Sequence, residues 1–142
     1  MMRNEQMLTS MLHTVQMGQS GIRCVMDNAV GTGLKAELRD QLKEYDALEK
    51  QTLKLAQKYD LQLRNLNPAI ESMSSMMAKM QLMGGEKDSK IAGMLIQGNT
   101  RGMIQGLKNL RKAGGASAEV KELAQQLLNR ENINIQKAQP FL

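Results

Sequence analysis

Apolar residues recur every three or four positions along most of this chain, and that spacing constrains the fold more than any other feature. The pattern fills four stretches, residues 6–30, 34–59, 68–112 and 117–140. A period near 3.6 residues places apolar side chains on one face of an α-helix. The aromatic residues that sheets favour number only three, Tyr45, Tyr59 and Phe141. The sequence therefore predicts an all-α protein.

Glycine, proline and capping residues mark where the predicted helices begin and end. Gly31 and Gly33 separate the first two stretches, because glycine accepts the left-handed conformation that ends helices. Asn67 before Pro68 predicts an N-cap followed by proline at the first helical position. Ser117 predicts the N-cap of the last helix.

Gly84 and Gly85 interrupt the third stretch. Residues 68–83 then form either a shorter crossing helix or the first part of a bent third helix, and the pattern leaves both open. Four amphipathic helices joined by short polar connections predict one domain, residues 1–142, with the fold of an antiparallel, up-and-down four-helix bundle.

Two segments resemble those of the ferritin-like superfamily, Met94–Gly102 and Glu131–Ile135. The chain is similar to small uncharacterised bacterial members of that superfamily. The family's activity depends on a di-metal centre with Glu-x-x-His on two helices. Here the only histidine, His13, has no glutamate three residues before it, and Glu131 is followed three residues later by Asn134. The resemblance therefore implies a ferritin-like bundle that lacks the di-iron ligand set and binds no cofactor.

Glu131 lies on the apolar stripe of the last predicted helix and is a candidate metal ligand. A buried carboxylate without a partner is costly. We therefore expect Glu131 to lie near a helix end, where it reaches water or a polar partner. The candidate partners are Gln16, Gln19 and Tyr45.

Several classes of function find no support in the sequence. One histidine and one cysteine, Cys24, provide neither a catalytic triad nor a zinc cluster. The net charge is +5, but acidic residues interleave with the lysines and no aromatic residues accompany them, so we expect no nucleic-acid partner. No apolar run reaches the roughly 18 residues of a membrane span. A lone cysteine fits a reducing compartment, and we expect a non-catalytic protein of the cytoplasm.

Methionine is unusually frequent, and five of the thirteen methionines lie within residues 73–83. Packing in the core is the favoured interpretation. A second is an adaptable groove for a hydrophobic helix or another protein partner, because methionine is flexible and polarizable. A third is a soft Cu(I) site built from Met73, Met77 and Met80, whose spacing places three thioethers on one helix face.

Gly98, Gly102 and Gly106 recur every four residues in the third stretch. Each glycine costs up to about 1 kcal/mol of helix stability relative to alanine, so we expect the strip to admit a close neighbour. The first predicted helix, with Gly18 and Gly21, is the expected neighbour, and a contact between subunits is the alternative.

Charged residues are nearly absent from two of the predicted helices. Residues 6–34 contain only Arg23 and Asp27, and residues 91–107 contain only Arg101. A helix with a face in water normally carries charge there, so we expect both helices to be covered on their outer sides. The expected cover is a second copy of the chain, with Gln19 and Thr100 in the contact. The sequence thus predicts a homo-oligomer, most simply a dimer, that acts as a structural or binding protein. The alternative is a metal-binding or redox protein of ferritin-like type.

Overall fold

The structure, a computed structural model, describes residues 1–142 and contains five α-helices and no β-strand. The helices are α1 (Asn4–Val25), α2 (Thr32–Lys58), α3 (Pro68–Gln81), α4 (Lys87–Arg111) and α5 (Ala118–Ala138). Short 3₁₀ turns follow α1 and α5, at Met26–Asn28 and Gln139–Phe141. The prediction of an all-α protein is confirmed.

Two predicted helix starts are confirmed by their hydrogen bonds. The Asn67 side chain accepts the backbone N–H of Ala69 at 2.9 Å, and Pro68 occupies the first turn of α3. The Ser117 hydroxyl accepts the backbone N–H of Val120 at 3.3 Å. Each cap satisfies a donor that would otherwise lack a partner in the first helical turn.

The break between α1 and α2 differs from the prediction. The α-helix ends at Val25, and Gly31 has an ordinary negative φ of −75°. The Asp88 carboxylate holds this connection, because it accepts the backbone N–H groups of Val30 at 2.7 Å and Gly31 at 2.8 Å. The connection therefore depends on a residue 57 positions away in sequence, which local patterns do not reveal.

The break between α3 and α4 resolves the open question about residues 68–83. Gly84 and Glu86 both have left-handed backbone conformations, with φ of 98° and 58°. A helix cannot continue through such residues. Residues 68–81 are therefore a separate short helix rather than the first part of α4.

The four long helices enclose the core in the ring order α1, α2, α5, α4, since each packs against the next and α4 packs against α1. Neighbours in the ring run antiparallel. Between α1 and α2, Gln16 contacts Glu49 and Gln19 contacts Asp46. Between α2 and α5, Gln41 contacts Asn134 and Lys58 contacts Glu119. Between α5 and α4, Asn134 contacts Asn99 and Glu131 lies against Gly102. Further contacts join Asn109 to Ser10, and Asp88 to Gly31.

This order makes α2 and α4 parallel, so the chain between them must travel the length of the molecule. Residues 59–86 make this crossing along the outer side of α1. The Gln16 side chain binds the crossing segment twice, by accepting the N–H of Leu66 at 2.7 Å and donating to Asn65 Oδ1 at 3.0 Å. The predicted up-and-down order is wrong at this point, because α2 and α4 are joined by a long crossover that contains α3 and not by a short connection.

The core consists of aliphatic side chains from α1, α2, α4 and α5. Burying one leucine or isoleucine contributes roughly 1.5–3 kcal/mol, so we expect this core to be stable without a metal or a disulfide. Fully buried members include Met7, Leu8, Leu12, Val15, Ile22, Leu34, Leu38, Ile91 and Val120.

Candidate functional site

The short helix α3 packs on α1 through one narrow face. Ala78 and Leu82 are buried, and the Ser75 hydroxyl lies 3.1 Å from the Cys24 Sγ atom of α1. Ser75, Ala78 and Leu82 follow one another at spacings of three and four residues, which places them on one side of the helix. Small side chains at two of these positions let α3 approach α1 closely.

The opposite face of α3 is apolar and exposed. Every large apolar side chain there leaves roughly half or more of its surface in water, and we call this set the methionine face. Its members are Ile70 (46% exposed), Met73 (66%), Met76 (66%), Met77 (58%), Met80 (66%) and Met83 (75%).

The favoured interpretation of these methionines as core residues is therefore wrong. The helix has two faces with helical spacing, one of small residues and one of methionines. Sequence reasoning assigned the larger side chains to the core, whereas the small face lies against α1. Exposed apolar surfaces of this kind are typical of interaction sites.

Apart from the methionine thioethers, few side chains lie close enough together to bind a metal ion. Met73, Met77 and Met80 do share the exposed face. However, no group of three or more His, Cys, Asp or Glu side chains comes together in the chain. His13 instead lies with Nε2 3.0 Å from the Arg64 carbonyl oxygen of the crossover.

Glu131 lies in the middle of α5 and only 2% of its surface is exposed. It lines a cavity of about 10 Å³ together with Gly102, Ser10 and Thr14, which is about the space that one water needs. None of its three predicted partners forms a hydrogen bond with it. Gln16 binds the crossover, Gln19 donates to Asp46, and the Tyr45 hydroxyl donates to Asn99. The predicted position near a helix end is also wrong.

The environment of Glu131 favours its neutral form. Burial raises its pKa from 4.5 to about 8, because desolvation penalises the charged carboxylate. The neighbouring Arg130 is paired with Glu44 at 3.6 Å. Burial also raises the pKa of Tyr45, and the nearby Glu131 charge adds to this effect. These shifts favour a protonated Glu131 carboxyl group and a neutral Tyr45 phenol in the core.

A chain of buried amides surrounds Tyr45. Its hydroxyl donates to Asn99 Oδ1 at 2.8 Å, and Asn134 Nδ2 donates to the same oxygen at 3.2 Å. Two buried oxygens, Gln41 Oε1 and Asn134 Oδ1, have no hydrogen-bond partner. Sequence reasoning missed this network. The sequence did contain one indication of the network. Asn134 follows Glu131 by three residues, so helical spacing places both side chains on the apolar stripe of α5.

The five glycines singled out by the sequence have different neighbours. A Cβ atom at Gly102 would overlap the Glu131 carboxyl group, and one at Gly106 would lie 3.3 Å from Leu128. A Cβ at Gly18 would lie 2.6 Å from the Tyr45 ring of α2, whereas Gly21 and Gly98 face open space. Gly102 and Gly106 therefore have α5 as their close neighbour, and the prediction of α1 is wrong for these two glycines.

The two weakly charged helices differ in what covers them. Residues 60–67 and α3 of the same chain cover part of the outer side of α1, whereas Gln6 and Met17 on that helix stay exposed. Gln19 is buried, contrary to prediction. The outer side of α4 remains open, where Thr100, Ile104 and Leu107 are exposed.

None of the helices combines the length and hydropathy needed to cross a membrane. The chain was also compared with known proteins. No protein-family model, curated protein or solved structure matches it.

Proposed function

We propose that this protein is a ferritin-like four-helix bundle without the family's metal centre, and that it acts as a non-catalytic, self-associating structural or binding protein of the cytoplasm. The unpaired Cys24 is compatible with that reducing compartment. The observation that carries the functional proposal is the methionine face of α3.

The helix order supports the ferritin-like part of the proposal. Ferritin-like bundles differ from simple up-and-down bundles by one long crossover connection. Here residues 59–86 provide such a crossover between the parallel helices α2 and α4. The buried polar side chains do not fit a di-metal centre, because Glu131 is the only carboxylate among them.

The uncovered apolar surfaces support self-association. The methionine face and the α4 pair Ile104 and Leu107 both expose large apolar side chains. Burying such surfaces against a partner is favourable at roughly 25 cal/mol per Å². Self-association would therefore be favoured by this free energy, which the isolated chain does not gain.

Light scattering coupled to size-exclusion chromatography tests the proposal. At micromolar concentrations we expect a mass of twice 15.8 kDa or a higher multiple. A single species at 15.8 kDa across that range would contradict self-association. Metal analysis of protein purified without chelator tests the non-catalytic part, and stoichiometric iron, manganese or copper would overturn it. A different protein that co-purifies in fixed ratio would instead favour an adaptor that binds a hydrophobic helix.

A further inference from the structure

We propose that the methionine face packs against the methionine face of a second copy. The two α3 helices are antiparallel, and their Ser75 residues lie at the same height along the helix axis. This inference rests on the proposed function, since it names the contact through which the protein would self-associate.

Four of the six side chains of the methionine face have a spacing along α3 that favours this pairing. Ile70, Met73, Met77 and Met80 recur at intervals of three, four and three residues, which is the seam of a coiled coil. Ile70 and Met80 are equally far from Ser75, and so are Met73 and Met77. Antiparallel pairing about Ser75 therefore places Ile70 opposite Met80 of the second copy and Met73 opposite Met77. A two-fold axis between the two helices therefore gives all four residues an apolar partner at once.

The distribution of charge also points to a second copy. The only charged residues of α3 are Glu71 and Lys79, and helical spacing places both away from the seam. Two like faces can therefore meet without opposing equal charges. A strongly acidic or basic partner would find no complementary charge on this face.

The size of the face is suited to such a contact. A helix of 14 residues is about 21 Å long, and its six exposed apolar side chains present on the order of several hundred Å². Stable interfaces bury about 800 Å² per partner, so α3 with its flanking turns approaches that scale. Methionine adapts its shape to a facing methionine without strain.

Directed disulfide formation tests the register. In a Cys24→Ser background, Ile70→Cys and Met80→Cys chains are oxidised separately and as an equal mixture. In the proposed register, two copies of Cys at position 70 are separated by about 15 Å along the helix axis, at 1.5 Å per residue. A disulfide needs Cα atoms within about 7 Å. We expect a cross-linked dimer in the mixture and at least tenfold less in either chain alone.

Two matched variants distinguish this inference from the proposed function. Met77→Glu replaces an exposed apolar side chain of α3 with a charged one, and Leu107→Glu does the same on α4. We expect Met77→Glu to raise the dimer dissociation constant at least tenfold and Leu107→Glu to change it less than twofold. A dimer that dissociates only with Leu107→Glu, or that forms no mixed disulfide, overturns the α3 pairing but leaves self-association intact. A wild-type chain that is always monomeric overturns both.

Discussion

Glu131 and Gly102 occupy one point of the contact between α4 and α5. The carboxyl group fills the space that a side chain at position 102 would need, and this explains a glycine in the middle of a long helix. Gly18 has the same relation to the Tyr45 ring on the other side of the core. These glycines therefore make room for large polar side chains inside the molecule, rather than for another helix backbone.

Glu131 makes the stability of the protein depend on pH. Its pKa is about 8 in the folded chain, against an ordinary value of 4.5. Between these values the unfolded chain releases the proton while the folded chain keeps it, so the free energy of unfolding falls as pH rises. The contribution is fully present below about pH 4.5 and is lost by about pH 8. Its size is on the order of 3–5 kcal/mol, at 1.36 kcal/mol per pKa unit.

Replacing Glu131 with glutamine tests this dependence. We expect Glu131→Gln to match the wild type near pH 4 and to be more stable at pH 8.5, because the amide stays neutral. Urea denaturation followed by circular dichroism at both pH values provides the measurement. Glu122→Gln, an exposed change on the same helix, is the control and should follow the wild type. Equal behaviour of the two variants would mean that Glu131 is not buried as a neutral acid.

Among the helices, α3 combines a buried small face with an exposed methionine face. The absence of charge on a helix correctly indicated that something covers α1, since α3 and the crossover lie on it. The same pattern on α4 has no cover within the chain. Neutral helix surfaces thus have two origins in this protein, and the sequence of each helix alone does not distinguish them.

Two neighbouring alanine variants test the orientation of α3. Leu82 is 4% exposed and Met80 is 66% exposed, although they are two residues apart. We expect Leu82→Ala to lower the free energy of unfolding by about 2 kcal/mol or more, because it leaves a cavity. Met80→Ala should change it by no more than about 0.5 kcal/mol. Urea denaturation in dilute solution, where any dimer has dissociated, measures both. The opposite ranking would show that α3 turns its methionines inward.

At the scale of the whole molecule, stability comes from one aliphatic core shared by four long helices. No cluster of metal-ligating side chains contributes to it. We therefore expect the melting temperature to be the same with and without a strong chelator, when followed by circular dichroism. The protein dialysed against buffer alone is the control. A large loss of stability on chelation would show that a metal ion holds the fold together.

The sequence by itself determined the all-α class, the caps at Asn67 and Ser117, and the inward position of Glu131. These features depend on helical period and on hydrogen bonds within one turn, so neighbouring residues encode them. Only the tertiary structure decided the order of the helices, the long crossover, the exposed methionine face and the partner of Gly102. Each of these depends on which two amphipathic surfaces meet. Many surfaces in one chain have the same period, and the physical choice among them is made by packing between residues far apart in sequence.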